Sequence, residues 1–276
     1  MDRKRIAVFT TEDYVWSFRV CADAVPELAK KYEVVGIYHF PEKLGHRRGY
    51  QIPLWYLRVF GLFNFILFGL FGLRRRAMNF LGPVKTWEGL AGKYHLQLEK
   101  GDTPNSESVC EWVKQNQIDV ILIMLNDILK QEILAAPRIG VLNKHAGLLP
   151  ACRGAYPFFW SKLNQHPTGV SYHAVDRGID TGGVLLQMRY PPNGQKQGLS
   201  MLRFYEDIFH LFPTMASEAI ERLIEGRYTD FPVAASSYYG FPCKEDFKRF
   251  LKKGYRVARI SDLFYRPSVR AEGLIR

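Results

Sequence analysis

The segment Ile118–Leu125 (IDVILIML) is the strongest strand signal in the chain, and it is apolar on both of its faces. Such a strand has to be covered on both sides, the condition of a central strand in a parallel sheet packed between helices. The N-terminal half supplies its neighbours. Ile6–Thr10 reads as a first buried strand. Trp16–Lys31 carries Val20, Ala24 and Leu28 at helical spacing and ends in Lys30-Lys31, which suits a helix C-terminus. Glu33–Phe40 reads as a second strand. Strand, helix and strand within about 35 residues make a βαβ unit and a parallel sheet.

The alternation continues. Val84–Lys93 predicts a helix, His95–Leu98 a short strand, Val109–Gln117 a helix that opens at Asn105–Ser108, Ile128–Ala135 a short helix and Gly140–Asn143 another strand. The expectation is an α/β fold with a Rossmann-like, doubly wound, mostly parallel sheet. The turn after the first strand, Thr10-Thr11-Glu12-Asp13, has no glycines, which disfavours a dinucleotide held in the usual way.

Past residue 150 the texture changes. Gly169–Val175 and Gly183–Tyr190 read as strands facing each other across a Gly-rich turn. Residues 199–225 read as helical, with Leu202, Tyr205, Ile208, Phe209 and Phe212 on one side. An aromatic stretch, Tyr238-Tyr239-Gly240-Phe241-Pro242, precedes a basic helix around Asp246–Lys253. Residues 1–190 are therefore expected to form a core with an insertion at about 43–80, and 191–276 a C-terminal extension. With 47% hydrophobic and 24% charged residues, wholesale disorder, a collagen repeat and a small disulfide scaffold are excluded.

The net charge of +11 implies attraction to something anionic: nucleic acid, a membrane surface or a phosphorylated small molecule. Cys21, Cys110, Cys152 and Cys243 are scattered without metal-ligand spacing, so no structural zinc is expected and a reduced, cytoplasmic setting is the simplest reading. Met1–Phe9 is basic but lacks a long apolar run before Glu12 and Asp13, a poor signal peptide.

The chemistry concentrates in Val141–Gly183. Asn143 and His145 stand two residues apart at a strand end, so an amide and an imidazole share one face where α/β proteins place their sites. Asp180 lies in a loop between Gly178 and Gly182. An isolated Asn-x-His is ordinarily a polar pair at a loop. An isolated Asp-Thr-Gly also occurs in aspartic proteases, but that chemistry needs a second such loop and the chain has one. The order and combination of the motifs carry more. Asn143-x-His145, Leu148-Leu149-Pro150, Arg153-Gly154-Ala155, Gly169-Val170-Ser171-x-His173 and Asp176-x-Gly178-x-Asp180-x-Gly182 follow one another.

In these five elements the sequence resembles the formyltransferases that use N10-formyltetrahydrofolate, from Ile6 to about Gln187. Ala146-Gly147 departs from the Pro-Ser of many members. The resemblance implies the formyltransferase fold, N10-formyltetrahydrofolate as formyl donor, no metal, and catalytic roles for Asn143, His145 and Asp180. It implies folate contacts at Leu125, Asn126, Asp127, Ile128 and Leu129, where backbone groups read the pterin edge. Val141 and the second wall, Val175, Asp176, Gly178 and Ile179, complete that set. His173 matches a family position and is read as supporting the fold.

Among the subfamilies, the short, helical C-terminal part differs from the β-barrel of methionyl-tRNA formyltransferases. The expected acceptor is a primary amine on a small molecule, a nucleotide- or lipid-linked amino sugar. A methionyl-tRNA formyltransferase-like enzyme and a non-catalytic, membrane-associated binding protein on the same fold are the alternatives, and nucleic acid is not the expected partner.

One segment lies outside this pattern. Ile52–Leu73 is apolar apart from Arg58 and Asn64, with His46-Arg47-Arg48 before it and Arg74-Arg75-Arg76 after it. A full membrane span would put strands of one sheet on opposite sides of the bilayer. Two readings remain open: a helix buried against the C-terminal extension or in a homodimer interface, or a helix in one membrane leaflet, with 52–76 as contact surface and the protein peripheral on the inner face.

Overall fold

The computed structural model describes residues 3–191, 198–229, 235–267 and 274–275. Its centre is one mixed sheet. In chain order the strands are β1 (Arg5–Thr11), β2 (Glu33–Phe40), β3 (Gln97–Lys100), β4 (Val120–Met124), β5 (Gly140–His145), β6 (Gly169–Ala174) and β7 (Val184–Arg189). Across the sheet they run β3-β2-β1-β4-β5-β6-β7, and Leu274–Ile275 pairs with the outer edge of β7. The first five are parallel, whereas β6 is antiparallel to both β5 and β7.

Alternating side chains sort themselves onto two faces. Ile6, Val8, Val120, Leu122 and Leu142 point to the side covered by α1 (Ser17–Lys31) and by Ala216, Ala219 and Ile220 of a later helix. Ala7, Phe9, Ile121, Ile123 and Val141 point to the other side, covered by Val109 and Val113 of α4 (Glu107–Gln115) and Ile133 of α5 (Gln131–Leu134). This is the two-faced burial that Ile118–Leu125 demanded, at about 25 cal/mol for each Å² of apolar surface removed from water.

The insertion is a small hairpin, Lys43–Leu44 against Arg47–Arg48, followed by α2 (Gln51–Phe80). Helix α2 is two helical pieces joined at Gly61, whose φ of 76° and ψ of 168° lie in a backbone region open essentially to glycine. Its inner face is firmly held. Trp55 packs on Phe60, Tyr156 and Phe241, and Phe71 packs on Trp16, which in turn meets Phe209. Arg75 forms an ion pair with buried Glu206, and Asn79 Nδ2 donates to Tyr14 O at 2.7 Å. Helix α3 (Trp87–Tyr94) then leads into β3.

Helix α6 (Pro157–Leu163) precedes β6. Residues 199–225 form two helices, α7 (Met201–His210) and α8 (Phe212–Ile224), with Pro213 near the start of the second. Helix α9 (Lys244–Lys252) and a 3-10 turn at Ile260–Phe264 pack against α2. One apolar cluster runs from Ile6 to Val257, so the C-terminal part shares the core of the sheet.

Candidate active site

Strand β5 ends where the parallel part of the sheet meets its antiparallel part. There Asn143 and His145 project to the same face, and the antiparallel register sets His173 of β6 directly opposite Asn143. His145 and His173 are both buried. His145 Nε2 lies 2.9 Å from Cys152 O, and because a carbonyl only accepts, Nε2 carries the hydrogen. Its Nδ1 therefore faces Asp180 Oδ2, at 3.4 Å. By the same argument His173 Nδ1 donates to Ala174 O at 2.8 Å, which leaves Nε2 to accept from Asn143 Nδ2 at 3.3 Å. That Nε2 is also 3.4 Å from Asp180 Oδ1. The three residues singled out in the sequence thus stand in one cluster, with His173 as the link between Asn143 and Asp180.

Asp180 adopts a left-handed φ of 52°, uncommon for a residue with a side chain and held here by its surroundings. The loop closes back on β6, and a Cβ at Gly182 would sit 1.9 Å from Ala174 O, so glycine is required there. Asp180 Oδ2 accepts the Gly154 N–H at 2.8 Å. Burial is the largest influence on Asp180 and opposes its charge. The two imidazoles beside it and the Gly154 amide outweigh it, and the carboxyl is held at about 2. For His145, burial is again the largest influence and lowers its pKa, with Asp180 and the Cys152 carbonyl partly opposing. An ionised carboxylate thus faces the free Nδ1 of a neutral imidazole, and a proton placed on that nitrogen is stabilised at once.

The loop that serves both groups is shaped from a distance. Ser171 Oγ accepts Leu149 N–H at 3.0 Å and donates to Gly147 O at 2.7 Å, pinning the Leu-Leu-Pro turn. Tyr238–Tyr239 pairs in parallel with Arg153–Gly154, and Ser237 Oγ accepts the Cys152 N–H at 2.9 Å. Gly154 has φ +92°, and a Cβ on it would meet Tyr239 O at 2.3 Å. The C-terminal aromatic stretch is therefore what aims the Cys152 carbonyl and the Gly154 amide. Neither this clamp nor the place of His173 is visible from motif order, because both depend on pairing between segments far apart in sequence.

Apart from Val141, which lies within β5, the residues expected to contact folate form two adjoining loops. Asn105 holds the first from below, with Nδ2 donating to Ile128 O at 3.0 Å and Oδ1 accepting Lys130 N–H at 2.7 Å. Asp127 pairs with Lys43 of the insertion, and Asn126 Nδ2 donates to Lys43 O at 3.2 Å, so these two side chains are turned to the insertion. Among the described residues the backbone N–H groups of Asn126, Asp127 and Ile128 have no hydrogen-bond partner in the chain. Asp176 spends its carboxylate inside its own loop, accepting from Gly178 N–H at 3.0 Å and Thr181 Oγ1 at 2.6 Å. Arg177 Nε reaches Gln131 Oε1 at 2.6 Å and ties the second loop to the first. Leu129 and Val141 are buried in the core with Leu125 and Val175 against them, whereas Ile128 and Ile179 are exposed, one on each loop. The short helix expected from Ile128 begins only at Gln131, because residues 125–130 are an open loop held by Asn105.

A separate cavity of about 540 Å³ opens at the C-terminal ends of β1, β2 and β3, lined by Asp13, His39, Glu42, Lys100 and Asp102 among others. It contains none of the cluster residues. The Asp13 carboxylate already occupies the amides that open α1, accepting from Val15 N–H, Trp16 N–H and Ser17 N–H at 2.8, 2.7 and 3.2 Å. Among the described residues no group of three or more His, Cys, Asp or Glu side chains could hold a metal ion.

A mostly parallel sheet that turns antiparallel beyond an Asn-x-His strand, with an Asp loop closing on it, is the formyltransferase fold. The phosphoribosylglycinamide formyltransferase of Bacillus halodurans shares it with a TM-score of 0.54 at 18% identity, over 80% of this chain and 95% of that one. An N-formyltransferase of Helicobacter canadensis, in complex with folinic acid and dTDP-3-aminofucose, does so with a TM-score of 0.51 at 17% identity, over 87% and 71% of the two chains.

Residues 93–194 match the model of the formyl transferase family. The methionyl-tRNA formyltransferase of Synechococcus sp. (strain JA-3-3Ab) is 31% identical over 131 residues, 46% of this chain and 40% of that protein. The chain thus spans less than half the length of such relatives. The five motif elements, and with them Asn143, His145 and Asp180, lie within the matched residues.

Proposed function

We propose that the protein transfers the formyl group of N10-formyltetrahydrofolate to a primary amine carried by a small molecule, a nucleotide- or lipid-linked amino sugar. The observation that carries this reading is the convergence of Asn143, His145 and Asp180 in one buried cluster at the sheet edge. The folate supplies the formyl carbon and, in N10, the leaving nitrogen. Its flat ring fits between two loops that offer unpartnered backbone N–H groups and the exposed side chains of Ile128 and Ile179.

In the reaction the bond from the formyl carbon to N10 breaks, a bond to the acceptor nitrogen forms, and one amine proton ends on N10. Asn143 holds its Nδ2 with one hydrogen on His173 and presents the other to the oxygen that gains charge. Neutral His145 accepts the amine proton at Nδ1, where Asp180 stabilises the imidazolium, and gives it up to the leaving nitrogen. Gly154 N–H and Cys152 O keep the pair aligned.

The Helicobacter enzyme's complex with a nucleotide-linked amino sugar supports an amino-sugar acceptor for this chain. A methionyl-tRNA acceptor is the second reading, favoured by relatives such as the Synechococcus protein and by the net charge of +11. The test is incubation of the full chain with N10-formyltetrahydrofolate and either nucleotide amino sugars or methionyl-tRNA, read by mass spectrometry. Formylation of an amino sugar alone supports the first reading; formylation of the tRNA alone replaces it. Folate binding without formylation of any amine would favour a binding protein on this fold.

A further inference from the structure

We infer that the outer face of α2 docks on an anionic lipid surface, with the helix lying along it. Beyond Gly61 the helix is apolar on two sides. Its inner side buries Leu67 and Phe71, but Leu62, Phe63, Ile66, Leu70 and Leu73, which recur at helical spacing on the opposite side, are 45–66% exposed. Aligned exposed side chains of this size mark a contact surface rather than scattered surface residues. The neighbouring 3-10 turn also exposes apolar side chains, Ile260 at 60% and Phe264 at 80%, and Arg74 Nη2 ties α2 to the residue that follows the turn by donating to Tyr265 O at 2.7 Å.

Charge decides what covers this face. Residues 43–87 contain no Asp or Glu, whereas Lys43, Arg47, Arg48, Arg58, Arg74, Arg75, Arg76 and Lys85 all fall there. Arg58 and Arg76 are exposed at the two ends of the apolar stripe, and neither has an ion-pair partner among the described residues. Hydrocarbon bordered by cations fits a leaflet of acyl chains beneath anionic headgroups. A second copy of the chain fits poorly, since a two-fold contact would set these arginines against their own counterparts with no carboxylate from the segment to neutralise them. The helix also lies flat rather than crossing. The piece from Leu62 to Leu73 is about 18 Å long, against a hydrocarbon core of about 30 Å. Moreover, strands from before and after it share one sheet.

This inference stands apart from the formyl-transfer reading, and its test needs no turnover. The full chain is floated with vesicles of phosphatidylcholine alone or mixed with phosphatidylglycerol. Flotation with the mixed vesicles is expected, weaker by about tenfold or more on phosphatidylcholine alone. The variant Leu62→Ser/Phe63→Ser/Ile66→Ser, altered only at exposed positions, should lose flotation while keeping the wild-type melting temperature. Arg58→Gln and Arg76→Gln should each weaken binding to the anionic vesicles roughly fivefold. Wild-type protein that floats with neither vesicle overturns the proposal. So does a stable dimer in light scattering that the triple variant dissociates without any vesicle binding by the wild type.

Discussion

The cluster at the end of β5 and the outer face of α2 both depart from what stability alone would select, in opposite directions. The first buries polar groups and surrounds them with partners: Asp180 has the Gly154 amide and two imidazoles, and each histidine is fixed by a carbonyl. The second leaves hydrocarbon in water although the same helix has a well-packed inner side. In the first the cost of burying charge is met inside the chain; in the second the exposed surface has no counterpart within it.

The sharpest way to break this contrast is to mutate the two sides of α2 separately. Trp55→Ala, on the inner side among Tyr156, Phe60 and Phe241, should lower unfolding free energy in urea by about 3–5 kcal/mol. Leu70→Ser, on the outer side, should change it by less than about 0.5 kcal/mol. Equal losses would mean that the outer face is covered by the chain itself.

Buried His39 extends the comparison, because it is the opposite of His145 and His173. Neither of its ring nitrogens has a hydrogen-bond partner among the described residues, and burial, the largest influence, lowers its pKa from 6.5 to about 4. A folded pKa below the unfolded one means that the unfolded chain binds the proton more readily. The contribution is complete above pH 6.5 and is lost as pH falls towards 4. His39→Leu should therefore lose less of its melting temperature than the wild type between pH 7 and pH 4.5, by ~2–4 °C for each kcal/mol spared. Parallel pH curves for the two proteins would remove His39 from the account.

A modest effect is expected of Ser237→Ala, which deletes the acceptor for the Cys152 N–H and should cost about 1 kcal/mol. It should also lower kcat a few-fold with little change in KM for folate, because it loosens the carbonyl that orients His145. A change in KM alone would place Ser237 outside the alignment of the cluster.

Four strands of the parallel part, β1, β2, β4 and β5, were legible because each holds a local apolar run, and the cluster because Asn143, His145 and Asp180 lie in compact motifs; β3, Gln97-Leu98-Glu99-Lys100, has no such run and lies two residues beyond the 95–98 expected for it. What stayed hidden depends on distant pairings. His173 joins the cluster through the β5–β6 register, and Ser237–Tyr239 through a contact with Cys152–Gly154 some 85 residues away in the chain. The break in α2 was masked for another reason. Gly61, Gly69 and Gly72 look alike in the sequence, and only Gly61 takes a non-helical conformation. The single helical stretch expected over 199–225 is divided at Leu211 for a reason that is local, Pro213 in the first turn of α8.

The most direct test of the central claim is the single-turnover rate of formyl transfer from N10-formyltetrahydrofolate by Asp180→Asn beside the wild type, with folate affinity measured on the same samples. The account predicts a rate lower by about 10²–10⁴ and a folate Kd within about threefold of wild type, since the change removes the partner of the His145 proton and leaves the 125–130 loop untouched. A variant that turns over at the wild-type rate, or one that loses folate binding in step with its rate, would contradict it.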